Sequence, residues 1–306
     1  MPILPDHTHD KTAYFTDPES ASEMARLTKQ ARLLTEVMGG PLAEQAEPAL
    51  FQDIIDLACG PGEWVLEVAF EYPDKQVTGV DVSQLMIDYA RFQVSQHKLN
   101  NAHFKVMDIL KPLEFEEHSF DLVNIRLIAS FMFRSLNSWP MLIQECVRIT
   151  RPGGVIRLTD CEWFISNSPM TEKLFGLCTQ AIHMGGNAFS PDGRHIAITP
   201  MLGRFLRNAG CQNVQHRAFA VDCSAGARGH QSFYEDMMVF LKLVQPLLLK
   251  AGIATQEEAD VLYLSALDEM RAEDFNCIWY YLTVWGETAI PELRRNERAY
   301  TQVTPL

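Results

Sequence analysis

The chain has no apolar run near the roughly 20 residues of a membrane-spanning helix, and no block of basic residues denser than Arg294-Arg295. The first absence removes a membrane span from consideration. The second argues against nucleic acid as a partner, because such proteins carry a cationic patch that releases phosphate counterions. Acidic residues outnumber basic ones here, 39 to 26, for a formal net charge of −13. The 7 cysteines are scattered and never spaced as C-x-x-C, so neither a disulfide framework nor a zinc ribbon is expected. They read as small buried hydrophobes in a reducing, cytoplasmic setting. The first residues, Met1 to His7, lack the charged and apolar stretches of a signal peptide. His7-x-His9 is too small a set of ligands for a metal, and none is expected.

What the chain does have, over 306 residues, is a regular alternation of short apolar runs and helical periods. Thr16-Asp17-Pro18-Glu19 reads as a helix start with a capping box. Met24, Leu27, Leu34 and Val37 then recur at helical spacing until Gly39-Gly40-Pro41. From residue 54 strands are expected at 54–57, 76–82, 103–107, 120–125 and 155–160, with helices at 63–71, 84–97 and 139–149, and a tight turn at Arg151-Pro152-Gly153-Gly154. Repeated βαβ units of this kind imply a mainly parallel sheet with helices on both faces. The remainder reads as helices at 171–184 and 199–208, a strand at 214–221, long helices at 232–250 and 256–272, and a strand at 275–285. The two long helices, inserted between the last two strands, are expected to cap a pocket. The division expected is residues 1–50 as N-terminal lid and helices, 51–165 as the ligand-binding core, and 166–306 as cap helices plus the last strands.

The stretch Asp56-Leu57-Ala58-Cys59-Gly60-Pro61-Gly62 follows the first apolar run. A glycine turn at the end of a buried strand lets a ligand lie against bare backbone. A dinucleotide fingerprint needs a third glycine three residues after the second, and Val65 stands there. That disfavours a nicotinamide cofactor. Asp81 stands 25 residues after Asp56, at a strand end, where a carboxylate accepts ribose hydroxyls or serves the N-cap of the next helix. Asp108, after the third strand, suits an exocyclic amine or a plain turn.

In order, Asp56–Gly62, Gly79-Val80-Asp81-Val82-Ser83, Val106-Met107-Asp108-Ile109, Ser119-Phe120-Asp121-Leu122-Val123 and Arg151–Gly154 resemble the motifs of the class I S-adenosylmethionine-dependent methyltransferases, the small-molecule type. Alanine stands at Ala58 where the first glycine is common. The resemblance is good over residues 51–165 and looser beyond. It implies a doubly wound, Rossmann-like seven-stranded α/β sheet, an N-terminal helical lid and a helical cap. It implies S-adenosyl-L-methionine as cofactor, held by Asp56, Ala58, Gly60, Gly62, Asp81, Val82, Met86, Asp108 and the Ile109 backbone, with backbone near Asn124 and Ile125 at the amino-acid end. Met86 and Leu110 would sandwich the adenine. Tyr14 is expected to close over the site as a lid, and Arg26 to meet the cofactor carboxylate or to lie on a solvated helix face.

The acceptor then lies beyond the fourth and fifth strands, whose ends face the ligand crevice. Candidates for acid–base work are Arg126, Asp160, Glu162, His183 and His195, with no evident dyad. Phe131, Met132, Phe133, Phe233, Tyr234, Met237, Met238 and Phe240 suggest a roomy apolar pocket. The expected activity is methyl transfer to O, N or C of a small, fairly apolar secondary metabolite. A quinone or lipid C-methyltransferase and a non-catalytic cofactor-binding partner subunit are the alternatives. The expected partner is that small acceptor, with no nucleic acid, and the N-terminal helix is the surface expected for any homo-oligomer.

Overall fold

The computed structural model describes residues 20–129, 136 and 138–290. The expectations on His7, His9, Tyr14, Thr16 and Phe131–Phe133 lie outside the described residues. Helix α1 (Ala21–Met38) follows Ser20, whose side chain accepts from the N–H of Glu23 at 3.4 Å. It stops at Gly39, which takes the left-handed conformation that a helix C-terminus needs.

The sheet is assembled from β1 (Asp53–Leu57), β2 (Gln76–Asp81), β3 (Ala102–Val106), β4 (Phe120–Arg126), β5 (Thr150–Cys161), β6 (Ile165–Ser166), β7 (Gln212–Asp222) and β8 (Cys277–Glu287). Strands β3-β2-β1-β4-β5 pair in parallel, and β8 closes on β5 antiparallel with β7 outside it. The two-residue β6 pairs with the opposite edge of β8 from β7, continuing the line of β5. It makes an eighth segment of the seven-stranded plan. The turn expected at Arg151–Gly154 is instead a bulge inside β5. Gly153 takes φ 79, and the pairing with β4 slips between Phe120 and Leu122.

Side chains alternate across this sheet, as strand geometry requires. Ile54 and Leu122 pack with Trp64, Val68 and Ile87 of helices α2 (Glu63–Glu71) and α3 (Gln84–His97). Ile55, Leu57 and Val123 pack on the other face with helices α4 (Ser138–Ile149) and α6 (Thr199–Asn208). A third cluster joins α1 to α5 (Pro169–Met184), α7 (His230–Lys250) and α8 (Gln256–Met270). The last two are the inserted pair between β7 and β8. This helical layer stands over the carboxyl ends of β4 and β5, with α1 between it and the glycine turn. Among the described residues no helix is long and apolar enough to cross a membrane.

Candidate active site: two adjoining pockets

The strand β1 ends in a turn that no ordinary backbone makes. Ala58 has φ 58, Gly60 φ 54 and Gly62 φ 84. Ala58 thus sits in the left-handed region that favours glycine, which explains why glycine suits that place. The turn is fixed by Asp81. One carboxylate oxygen accepts from the Gly60 N–H at 2.8 Å and the other from the Ser83 N–H at 3.0 Å. Asp81 therefore shapes the turn and also stands in the wall of the pocket above it. Ser83, not Asp81, caps α3, accepting from Met86.

That pocket has Asp56, Ala58, Gly60, Asp81, Met86 and Arg126 in its wall, with Leu27, Gln30 and Leu34 of α1 along one side. A methyl group added to Gly60 would meet nothing nearer than Leu27 at 3.7 Å, so the bare backbone there faces open space. Gly62 is different. A methyl group there would stand 2.6 Å from the Phe104 ring and 2.9 Å from the Ala90 Cβ. Gly62 serves helix–strand packing and does not line the pocket.

Asp56 and Arg126 form the charged end. Asp56 is buried, and burial raises its pKa to about 6 against the pull of Arg126 and the hydrogen bond from Asn124. Arg126 keeps part of its surface on the pocket while its guanidinium is buried, which lowers its pKa to about 10 despite Asp56. Its Nη1 donates to Thr35 Oγ1 at 3.2 Å. Beneath them Asn124 donates to Asp56 and accepts from Arg157 at 2.6 Å, and Arg157 pairs with Glu44. This buried chain ties the loop after α1 to the pocket floor.

A second pocket adjoins the first, and Leu27, Gln30 and Leu127 belong to both walls. Leu127 has φ 55, a conformation that costs a branched side chain energy. Its N–H donates to Thr159 O at 2.8 Å, which holds the strained residue in place. The far wall is aromatic, with Trp163, Phe164, Phe175, Phe240 and Trp279. Two carboxylates reach it. Asp160 accepts from the N–H groups of Ala129 at 3.0 Å and Cys161 at 2.9 Å, and burial pushes its pKa up to about 7. Asp236 of α7 is raised as well, by burial, against Arg26.

Several expected residues lie elsewhere. Arg26 does not reach the first pocket. Its guanidinium is held by Glu23 at 2.6 and 2.7 Å and by Asp236 at 2.7 Å, in the wall of the second. Arg126, read as a candidate for proton transfer, lines the first pocket and not the second. Val82 is exposed and outside the wall. Asp108 forms the turn that was its alternative reading, accepting from the Leu110 N–H at 3.0 Å. Ile109 and Leu110 pack on the core beside it. Asn124 and Ile125 lie buried below the floor, and the wall begins one residue later, at Arg126. Glu162 turns away to accept from the N–H groups of Ala197 and Thr199 at 3.0 and 3.1 Å, which secures the start of α6. His195 is exposed while its neighbour Ile196 faces the pocket. His183 packs against Gly193. Asp56, Ala58, Gly60, Asp81 and Met86 come together as expected residues of one wall. The α1 residues Leu27 and Gln30, and Asp236 from the far end of the chain, carry no local motif. Only the burial of a charged pair in a helical cap would have singled out Asp236.

A methyltransferase-domain family model matches residues 54–154. The chain is 26% identical over 188 residues to a demethylmenaquinone methyltransferase of Lactiplantibacillus plantarum, covering 58% of this chain and 77% of that protein. It is 24% identical over 280 residues to the secondary metabolism regulator laeA of Coprinopsis cinerea, covering 85% of this chain and 66% of that protein. It spans 44% of a Listeria monocytogenes demethylmenaquinone methyltransferase at 30% identity over 112 residues. In fold it is similar to the YcgJ protein from Bacillus subtilis, with a TM-score of 0.51 at 14% identity over 82% of this chain and 98% of that one. It is also similar to an O-methyltransferase family protein from Burkholderia thailandensis, with a TM-score of 0.51 at 15% identity over 88% of this chain and 59% of that one.

Proposed function

The chain is a class I S-adenosylmethionine-dependent methyltransferase, and on that premise we propose that the first pocket holds the cofactor and the second a small, fairly apolar acceptor, methylated at O, N or C. The observation that carries this reading is the shared boundary: the two pockets meet at Leu27, Gln30 and Leu127.

The first pocket fits the cofactor by its chemistry. Gly60 leaves room where a side chain would fill the cradle. Asp81 would take the ribose hydroxyls, Met86 the apolar face of the base, Asp56 the ammonium and Arg126 the carboxylate. Bound there, S-adenosylmethionine supplies an electrophilic methyl group. The chain's own part is alignment and the exclusion of water. Leu127, with its forced backbone, fixes the wall between the two sites, and α1 covers both. A role for Tyr14 as the closing residue belongs to the same reading.

The aromatic wall of the second pocket supports an apolar acceptor, and the similarity to a secondary metabolism regulator supports a place in secondary metabolism. The demethylmenaquinone methyltransferases among the relatives favour a second reading, in which the acceptor is a quinol methylated at carbon. Calorimetry with S-adenosylmethionine, S-adenosylhomocysteine and NAD tests the first pocket, and NAD binding without binding of the other two would sink the proposal. Mass spectrometry of a co-purified ligand would decide between the acceptors. Tight cofactor binding with no transfer to any acceptor would instead mark a non-catalytic partner subunit.

A further inference from the structure

Two carboxylates, Asp160 and Asp236, and one guanidinium, Arg26, line the second pocket, with Glu23 paired to Arg26 behind the wall, and their charges do not cancel. Arg26 is engaged by both Glu23 and Asp236. Asp160 is 4% exposed, and the charged group that acts on it most among the described residues is another acid, Glu162. Its oxygens are held by two backbone N–H groups, which fix the carboxylate without neutralising it. The remaining titratable or charged groups around it are Cys161 on its own strand end, Asp236 on α7, Arg26 on α1 and Tyr281 on β8. A buried acid without a counter-charge is costly. The surrounding rings, Trp163, Phe175, Phe240 and Trp279 among them, are surfaces that attract cations and disfavour anions.

We propose that the second pocket takes its acceptor as a protonated primary or secondary amine on an apolar body, with Asp160 pairing with the nitrogen and accepting its proton. The proposal rests on the reading of this pocket as the acceptor site. The balance is simple. An N–H bond of the ammonium breaks, its proton goes to a carboxylate oxygen of Asp160, and its electron pair becomes the nitrogen lone pair. That pair forms the bond to the incoming methyl carbon as the C–S bond breaks and sulfur keeps the electrons. A methylated amine in its ammonium form, a neutral thioether and a protonated Asp160 result, and Asp160 returns its proton to solvent. The quinol reading needs no cation, so charge preference separates the two.

The test uses the full chain with saturating S-adenosylhomocysteine and three probes of one shape: phenethylamine, phenethyl alcohol and hydrocinnamate. Binding is read by calorimetry and by quenching of tryptophan fluorescence. The amine is expected to bind about tenfold or more tighter than the alcohol, and the carboxylate weakest. Amine affinity is expected to fall as pH drops below about 7, where Asp160 protonates. Asp160→Asn is expected to abolish both the amine preference and this pH dependence, with alcohol affinity held within about threefold. Alcohol or carboxylate binding as tightly as the amine in the wild type overturns the proposal. So does an Asp160→Asn variant that keeps the preference, or an amine that fails to bind at millimolar concentration. Binding of S-adenosylhomocysteine is measured first in the same cell. Its absence is a failure of the cofactor reading, whereas its presence beside a failed amine preference sinks only the acceptor assignment.

Discussion

The side-chain amide of Asn124 donates to Oδ1 of Asp56 at 2.7 Å. The pair spans adjacent parallel strands, β1 and β4, in direct register. Both side chains are buried, Asp56 with only an edge on the first pocket, and the Asn124 oxygen is spent on Arg157. Replacing Asn124 with leucine strips a partner from a buried acid and a buried base at once. The expected loss is about 2–4 kcal/mol at neutral pH, measured by urea denaturation. It should shrink at pH values well below 6, where Asp56 is protonated in the folded state. A loss that does not change with pH would mean that Asp56 is not the group left exposed.

The two glycines of the turn separate by function. Gly62→Ala forces a methyl group to 2.6 Å from Phe104 at a φ of 84, so a destabilisation of about 2–4 kcal/mol is expected from clash and backbone strain together. Gly60→Ala meets no such obstacle and should cost only about 1 kcal/mol of stability. Its methyl group projects into the first pocket, however, and affinity for S-adenosylhomocysteine should drop more than tenfold. Paired denaturation and calorimetry on the two variants check this. Native cofactor affinity in Gly60→Ala would refute the assignment of that pocket.

Arg126 is the cation in the wall of the first pocket beside Asp56. If it meets the cofactor's carboxylate, Arg126→Met should weaken S-adenosylhomocysteine by about tenfold or more while leaving methylthioadenosine, which lacks the amino-acid end, within about threefold. Equal losses for both ligands would point to a general collapse of the pocket. No loss for either would return the carboxylate to another residue.

These contrasts also explain what could be read from the chain unaided. Local chemistry was readable. The helices at 63–71, 84–97 and 199–208 match those observed, because their periodicity and stop signals are written in neighbouring residues. Asp56, Gly60 and Asp81 were readable for the same reason, since each belongs to a strand end or to the turn that follows one, and Met86 stands in the first turn of the helix after β2. Contacts across long sequence separations were not readable. Arg26 and Asp236 are 210 residues apart and meet only because α7 packs on α1. Glu162 sits beside Asp160 on the chain, yet its carboxylate faces the start of α6 and Asp160 faces the pocket. At the irregular end of β5 no two-residue period remains to say which way a side chain points. His195 failed on similar grounds: a loop polar residue drew attention while Ile196, its apolar neighbour, faces the cavity.

The burial of Asp160 also has a consequence for stability without any ligand. Its carboxyl has an ordinary value of 3.8 and is raised to about 7 by burial in the folded chain. Between those values the folded state keeps a proton that the unfolded chain has released. Stability therefore falls as pH rises from about 4 to about 7 and levels off above that. Asp56, raised to about 6, contributes in the same direction and finishes earlier. Asparagine at position 160 cannot ionise, so Asp160→Asn should lose less stability than the wild type over the same range. From pH 5 to pH 8 the difference between the two proteins should be about 2–3 kcal/mol, on the order of the shift. The asparagine itself costs something at every pH, because its amide offers one acceptor where two N–H groups point, so the slope of the curve is diagnostic and its height is not. Urea denaturation of the ligand-free protein at a series of pH values measures both. Parallel curves would mean that Asp160 is ionised throughout in the folded state, and the pocket would then hold a full negative charge at neutral pH.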